Sequence, residues 1–180
     1  VHEDVAGRRF RVSAGSFFQA GPVAAAALAT TVDTAVGDAL AEGDVLVDLY
    51  AGVGLFASVI GAGRGAKVVA VESDPSAVAD ARVNLSDLDA KVVAAEVARW
   101  RARPAAVVIA DPSRSGLGRP GAGAVAATGA QRVVLVSCDP ASMARDTVLL
   151  TESGYRLASI TLVDAFPHTF HVETVSRFER

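Results

Sequence analysis

The stretch DVLVDLYAGVGLFA, residues 44 to 57, joins an apolar, β-branched run to a loop with two glycines and then to the start of a helix. Apart from Asp48, residues 45 to 49 show no alternation of polar and apolar positions, which suits a strand covered on both faces. Gly52 and Gly54 let the backbone turn tightly and approach a ligand where the helix begins. Working outward, AKVVAVE (66 to 72), AKVVAAE (90 to 96), AAVVIAD (105 to 111), QRVVLVSC (131 to 138) and YRLASITLVDAF (155 to 166) read as further strands. Between them, SDPSAVADARVNLSDL (73 to 88) and PASMARDTVLLTESG (140 to 154) carry helix starts and helical spacing, and residues 24 to 41 predict a helix ahead of the first strand. The alternation predicts an α/β domain with a doubly wound parallel sheet. Right-handed crossovers then gather the carboxyl ends of the strands, with Asp48, Glu72, Asp111 and Cys138, on the edge where such sheets bind ligands. GLGRPGAG (116 to 123) reads as a flexible loop. The aromatic segment RRFRVSAGSFFQAGP (8 to 22) has no evident place in a minimal core.

Composition narrows the classes. A chain of 180 residues with 51% hydrophobic content can bury one substantial core. A single cysteine excludes an internal disulfide, and neither a charged-then-apolar leader nor a long apolar run is present, so the cytoplasm is the simplest compartment and no membrane is expected. A net charge of -3 argues against gripping nucleic acid by total charge alone. Arg8, Arg9 and Arg11, then Arg99, Arg101 and Arg103, leave either a local basic strip or ordinary solvated charge.

Gly52-x-Gly54-x-x-Ala57 satisfies a relaxed dinucleotide fingerprint, and Glu72 lies twenty residues after Gly52, where an acid holds ribose hydroxyls. Asp48 speaks against a dinucleotide because a carboxylate there repels phosphates. S-adenosylmethionine, with an ammonium and a sulfonium at one end and a ribose at the other, suits the pair better. The plainer alternative is a glycine turn capped by a solvated Asp. Cys138 is either a small buried hydrophobe or a thiol beside a helix start fixed by Asp139 and Pro140, whose amino end favours a thiolate. Glu173 supplies a carboxylate able to take up a proton, or is an exposed strand acid. His168 and His171, with no second cysteine or acid cluster, make a poor metal site, and no metal is expected.

SFFQAGP, DLYAGVGLFA, VESDPSAVADARVNL, DPSRSGL, VSCDPASMARD and FPHTFHVETV stand in the order and at about the spacing of the catalytic domains of RNA 5-methyluridine methyltransferases. From about residue 16 to the C-terminus the chain resembles that family, whose last two motifs are the specific ones. The resemblance implies a Rossmann-like class I methyltransferase fold with an antiparallel C-terminal strand, S-adenosylmethionine as cofactor, and a uridine in an accessible loop of transfer or ribosomal RNA as substrate. It implies Cys138 as nucleophile and Glu173 as general base, with Gln19, Tyr50, Glu72 and Asp111 at the cofactor beside Asp48, Gly52 and Gly54. Phe166 and Phe170 would be stacking surfaces. Relatives usually carry Asn for Asp139 and Pro for Ser113, often Cys for Ala51, and some a polar residue for Leu55. Asp139 is expected to oppose thiolate formation at Cys138. Family enzymes commonly carry an RNA-binding region ahead of the catalytic part, so residues 1–20 read as a lead-in from such a region and 21–180 as the catalytic domain, with weak RNA affinity. A dinucleotide-dependent oxidoreductase and a non-catalytic cofactor- or RNA-binding module are the rival readings.

Overall fold

The computed structural model describes residues 1–165 and 172–180. A hairpin of β1 (His2–Val5) and β2 (Arg8–Arg11) opens the chain, followed by α1 (Pro22–Val36). Then come β3 (Val45–Leu49), α2 (Leu55–Arg64), β4 (Lys67–Glu72), α3 (Pro75–Asn84), β5 (Ala90–Ala94), β6 (Val107–Ala110), α4 (Gly118–Ala127), β7 (Arg132–Ser137), α5 (Pro140–Glu152), β8 (Arg156–Val163) and β9 (Glu173–Glu179). Seven strands form one sheet in the order β5-β4-β3-β6-β7-β9-β8. The ladders from β5 to β7 are parallel, and β9 runs antiparallel to both β7 and β8.

The central strands are apolar throughout because successive residues feed two cores. Leu46, Val107, Ile109, Val134 and Val136 join the core under α1 and α2, whereas Val47, Leu49, Val108, Ala110, Val133 and Leu135 join the one under α4 and α5. A strand buried on both faces can spare no polar position. The strand order reverses beside β3, whose neighbours are β4 and β6, and the carboxyl ends of all three meet there.

Two sequence expectations are corrected. Residues 116 to 123 are not a flexible loop: all but Gly116 and Leu117 lie in α4. Its glycines are poor helix formers, but a Cβ at Gly121 would sit 2.8 Å from the Tyr50 hydroxyl and 3.1 Å from Leu117, so close packing selects glycine there. The segment 8 to 22 does have a place in the core. Phe10 is among the largest fully buried side chains, and its ring lies 6.1 Å from that of Phe18. Val5 and Val12 join the same core as the sheet.

Candidate functional site

The glycine loop is built by backbone that ordinary residues avoid. After β3, Tyr50 takes φ 61, a left-handed conformation unusual for a side chain of its size, and Gly52 follows at φ 54. A Cβ at Gly52 would meet nothing within 4 Å, so the loop presents open backbone to whatever lies above it. Asp48 sits beneath the loop, wholly buried. Its Oδ2 accepts the Ala57 N–H of α2 at 2.9 Å, and its Oδ1 has no partner among the described residues. Burial, and to a lesser degree the charges of Asp111 and Glu72, push its carboxyl up to about 8 against the pull of the Ala57 bond. Glu72 touches the loop directly. Its Oε2 accepts the Gly52 N–H at 2.8 Å and its Oε1 the N–H groups of Ser73 and Asp74 at 2.6 and 2.8 Å.

Beside the loop opens a cavity of about 320 Å³ lined by Tyr50, Glu72, Glu96, Ala98, Leu117 and Gly121 among others. The sequence reading missed Glu96, Ala98 and Leu117. A signal for Glu96 was available, since AKVVAVE and AKVVAAE each end in a glutamate at the same sheet edge. Leu117 is placed by Asp146 of α5, whose Oδ2 accepts the Leu117 N–H at 2.7 Å and whose Oδ1 accepts the Gly118 N–H at 3.0 Å. The motif VSCDPASMARD thus carries at its end the acid that holds one wall of this cavity.

A second group assembles at the ends of β6, β7 and β9. Gln19 Nε2 donates to Asp111 Oδ2 at 3.1 Å. Ser137 of β7 pairs with Thr174 of β9, whose Oγ1 donates to the Ser137 carbonyl at 3.0 Å. Continuing this antiparallel register by one residue sets Cys138 opposite Glu173. Opposed residues in such a ladder have Cα atoms about 4.5 to 5.5 Å apart. Burial pushes Asp111 up to about 7, aided by the charge of Glu173 and opposed by the Gln19 bond. Glu173, 6% exposed, is raised by burial as well.

Cys138 departs from expectation. Burial first, then Glu173 and more weakly Asp111, push the thiol above its ordinary value, against its own backbone hydrogen bond and the charge of Arg114. Asp139 caps α5 instead: its carboxylate accepts the Ser142 N–H at 2.6 Å, and that bond holds its pKa down. The acids that raise Cys138 are Glu173 and Asp111. His168, His171, Phe166 and Phe170 lie outside the described residues. Among the described residues no three His, Cys, Asp or Glu side chains gather as metal ligands, and no helix is long and apolar enough to cross a membrane.

No protein-family model matches the chain. It is 37% identical over 186 residues to an uncharacterized RNA methyltransferase of Streptomyces coelicolor, covering 99% of this chain and 40% of that protein. It is 38% identical over 187 residues to an uncharacterized RNA methyltransferase of Bifidobacterium longum, covering 95% and 42%. The chain thus spans about two fifths of the length of these curated relatives. Among solved structures, a Pyrococcus abyssi tRNA (uracil-54, C5)-methyltransferase in complex with S-adenosyl-L-homocysteine superposes with a TM-score of 0.86 at 32% identity, covering 99% of this chain and 44% of that one. M. jannaschii TYW2 in complex with AdoMet gives 0.71 at 18% identity, covering 100% and 86%. The fold is a Rossmann-like class I methyltransferase fold with an antiparallel strand in the sheet.

Proposed function

We propose that this chain is the catalytic part of an RNA methyltransferase that uses S-adenosylmethionine and methylates carbon 5 of a uridine through a covalent cysteine adduct. The observation that carries the reading is the β7–β9 register, whose extension by one residue brings a lone cysteine opposite a buried glutamate that acts on it, at the edge shared with the glycine loop. The names of the relatives and the solved uracil-C5 enzyme support it.

The residues present fit the cofactor. Open backbone above Gly52, the unpartnered Oδ1 of Asp48 and the carboxylates of Glu72 and Asp111 form an acidic cradle suited to a cationic ligand without phosphates. That cradle disfavours a dinucleotide, whose pyrophosphate would lie among those acids. Glu72 would hold the ribose, the cavity of Tyr50, Glu96 and Leu117 the adenine, and Asp111 with Gln19 the amino-acid end. When bound, S-adenosylmethionine would supply an electrophilic methyl group, whose bond to sulfur breaks on transfer with both electrons left on sulfur as a neutral thioether.

Uracil carbon 5 is too weak a nucleophile unaided. Cys138, once deprotonated, adds through Sγ to carbon 6, and the electron pair of the 5,6 double bond moves toward carbon 5 and the carbonyl. Carbon 5, now electron-rich, can form the new carbon–carbon bond. Glu173 then removes the proton from carbon 5, the 5,6 double bond re-forms, and Sγ leaves with its electron pair. Arg114, exposed and acting on the thiol, favours the deprotonated state. The base must be out of its stack for both faces to be reached, so a looped or single-stranded uridine of transfer or ribosomal RNA is the expected target.

The test is covalent trapping with labelled cofactor and uridine-containing RNA. Glu173→Gln is expected to slow turnover by about 10² to 10⁴ and to accumulate a methylated protein–RNA adduct on a denaturing gel. Cys138→Ala should show neither adduct nor turnover while still binding cofactor. Normal turnover by the Cys138 variant would overturn the proposal.

A further inference from the structure

Residues 13 to 21 lie outside every helix and strand yet carry Gln19, so no backbone ladder fixes them. Phe18 packs against Phe10, and the side-chain hydrogen bonds of residues 13 to 16 converge on α3, chiefly on one carboxylate. Asp80, wholly buried, accepts on Oδ2 the Ser13 N–H at 2.7 Å and the Ser16 hydroxyl at 2.7 Å. On Oδ1 it accepts the Ser13 hydroxyl at 2.9 Å and Arg11 Nε at 2.6 Å. Four donors fill an ionised carboxylate's acceptor sites. Burial alone would raise its pKa, but the bonds from Ser16, Ser13 and Arg11 outweigh it and hold the group at about 2. One turn on, Asn84 imitates a neighbouring strand: its Oδ1 accepts the Arg11 N–H at 2.7 Å and its Nδ2 donates to the Arg11 carbonyl at 3.0 Å and the Val53 carbonyl at 2.9 Å. The Ser16 N–H closes a turn on the Ser13 carbonyl at 3.0 Å. Three residues later Gln19 reaches Asp111.

From this chain of contacts we infer that Asp80 is a positioning residue: by fixing Ser13 and Ser16 it holds Gln19 on Asp111 and so completes one side of the ligand edge. The inference deepens the cofactor reading above and rests on it for its consequence, but the link from Asp80 to Gln19 can be read without ligand. The helix that holds Gln19 in place begins at Pro75, three residues after Glu72. A single element therefore ties the acid proposed for the ribose to the segment proposed for the amino-acid end.

The experiment follows the Gln19 side-chain amide by nitrogen-15 magnetic resonance in the ligand-free protein. The variants are Asp80→Asn and, from the other side of the tether, Ser13→Ala combined with Ser16→Ala. Both should move the Gln19 resonances toward their place in Asp111→Asn, and amide protection of residues 13 to 19 should fall about tenfold while β3 and β6 keep theirs. Calorimetry with S-adenosylmethionine should show affinity lower by about tenfold in both. If Asp80→Asn does not fold, the serine pair decides the matter. Unmoved Gln19 resonances in a folded variant, even one with a lower melting temperature, would show a purely structural staple and overturn the inference. Wild-type protein that binds no S-adenosylmethionine sinks the cofactor reading instead, while the Gln19 resonances still decide the role of Asp80.

Discussion

A carboxyl whose pKa is higher folded than unfolded holds its proton more tightly in the native chain. Asp48, at about 8, and Asp111, at about 7, are two such groups, starting from an unfolded value of 3.8. Between the unfolded and folded values the native state binds more protons, so their contribution to stability is full at low pH and is lost as pH rises through about 7 to 8. Asp80, held at about 2, has the opposite sign, but its stabilisation fades only as pH falls below 3.8, outside that window. Thermal melting of the ligand-free protein should therefore give a higher midpoint near pH 6 than near pH 9, and Asp48→Asn should shrink the difference. A cationic ligand favours the ionised forms, so S-adenosylmethionine should bind more tightly near pH 8 than near pH 6 and release protons as it binds. Calorimetry in two buffers of different ionisation enthalpy reads that release, and an identical heat in both would argue that the acids do not face the ligand. The sequence showed which carboxylates gather, because strand ends are legible. It did not show their ionisation, which depends on how completely the layers above them close.

At the scale of elements, Asp139 is the N-cap of α5. Asn and Asp are nearly equal as caps, so the fold accepts either residue at this position. Asp139→Asn should leave the melting temperature nearly unchanged, whereas Asp139→Ala should lower it. The hairpin of β1 and β2 was not legible because two four-residue strands rich in charge carry little period-2 signal. Its weight in the fold comes from Phe10 instead. Phe10→Ala removes a fully buried ring and should cost about 3 to 5 kcal/mol, measured by denaturant unfolding. The β-rich runs were read to within a few residues, since continuous apolar strands between capped helices leave few other folds. The glycine-rich start of α4 is the opposite case: propensity argues for a loop, whereas Asp146 holds the first N–H groups of the helix and the nearness of Tyr50 and Leu117 requires glycine at position 121.

For the whole molecule, the mild negative charge conceals how the arginines are spent. Arg8 binds Asp87, Ser58 and the Asn84 carbonyl, and Arg11 binds Asp80, so the first basic cluster works largely inside the protein. Arg9, Arg114 and Arg145 are exposed. If about two of these meet phosphates, RNA affinity should fall with salt at a log–log slope of about -1.4 for single strands, by filter binding. Arg114→Ala should flatten that slope, and Arg11→Ala should lower stability instead. The parallel order of the sheet followed from the sequence pattern, but the seating of β9 between β7 and β8 did not, because strand pairing is a long-range choice. That seating bears on how the chain acquires its shape. Until the β8–β9 hairpin docks, β7 presents a bare, apolar edge from Val133 to Val136, and such edges recruit other chains. Refolding yield should thus depend on protein concentration, and a chain whose β9 is weakened should clump before it melts.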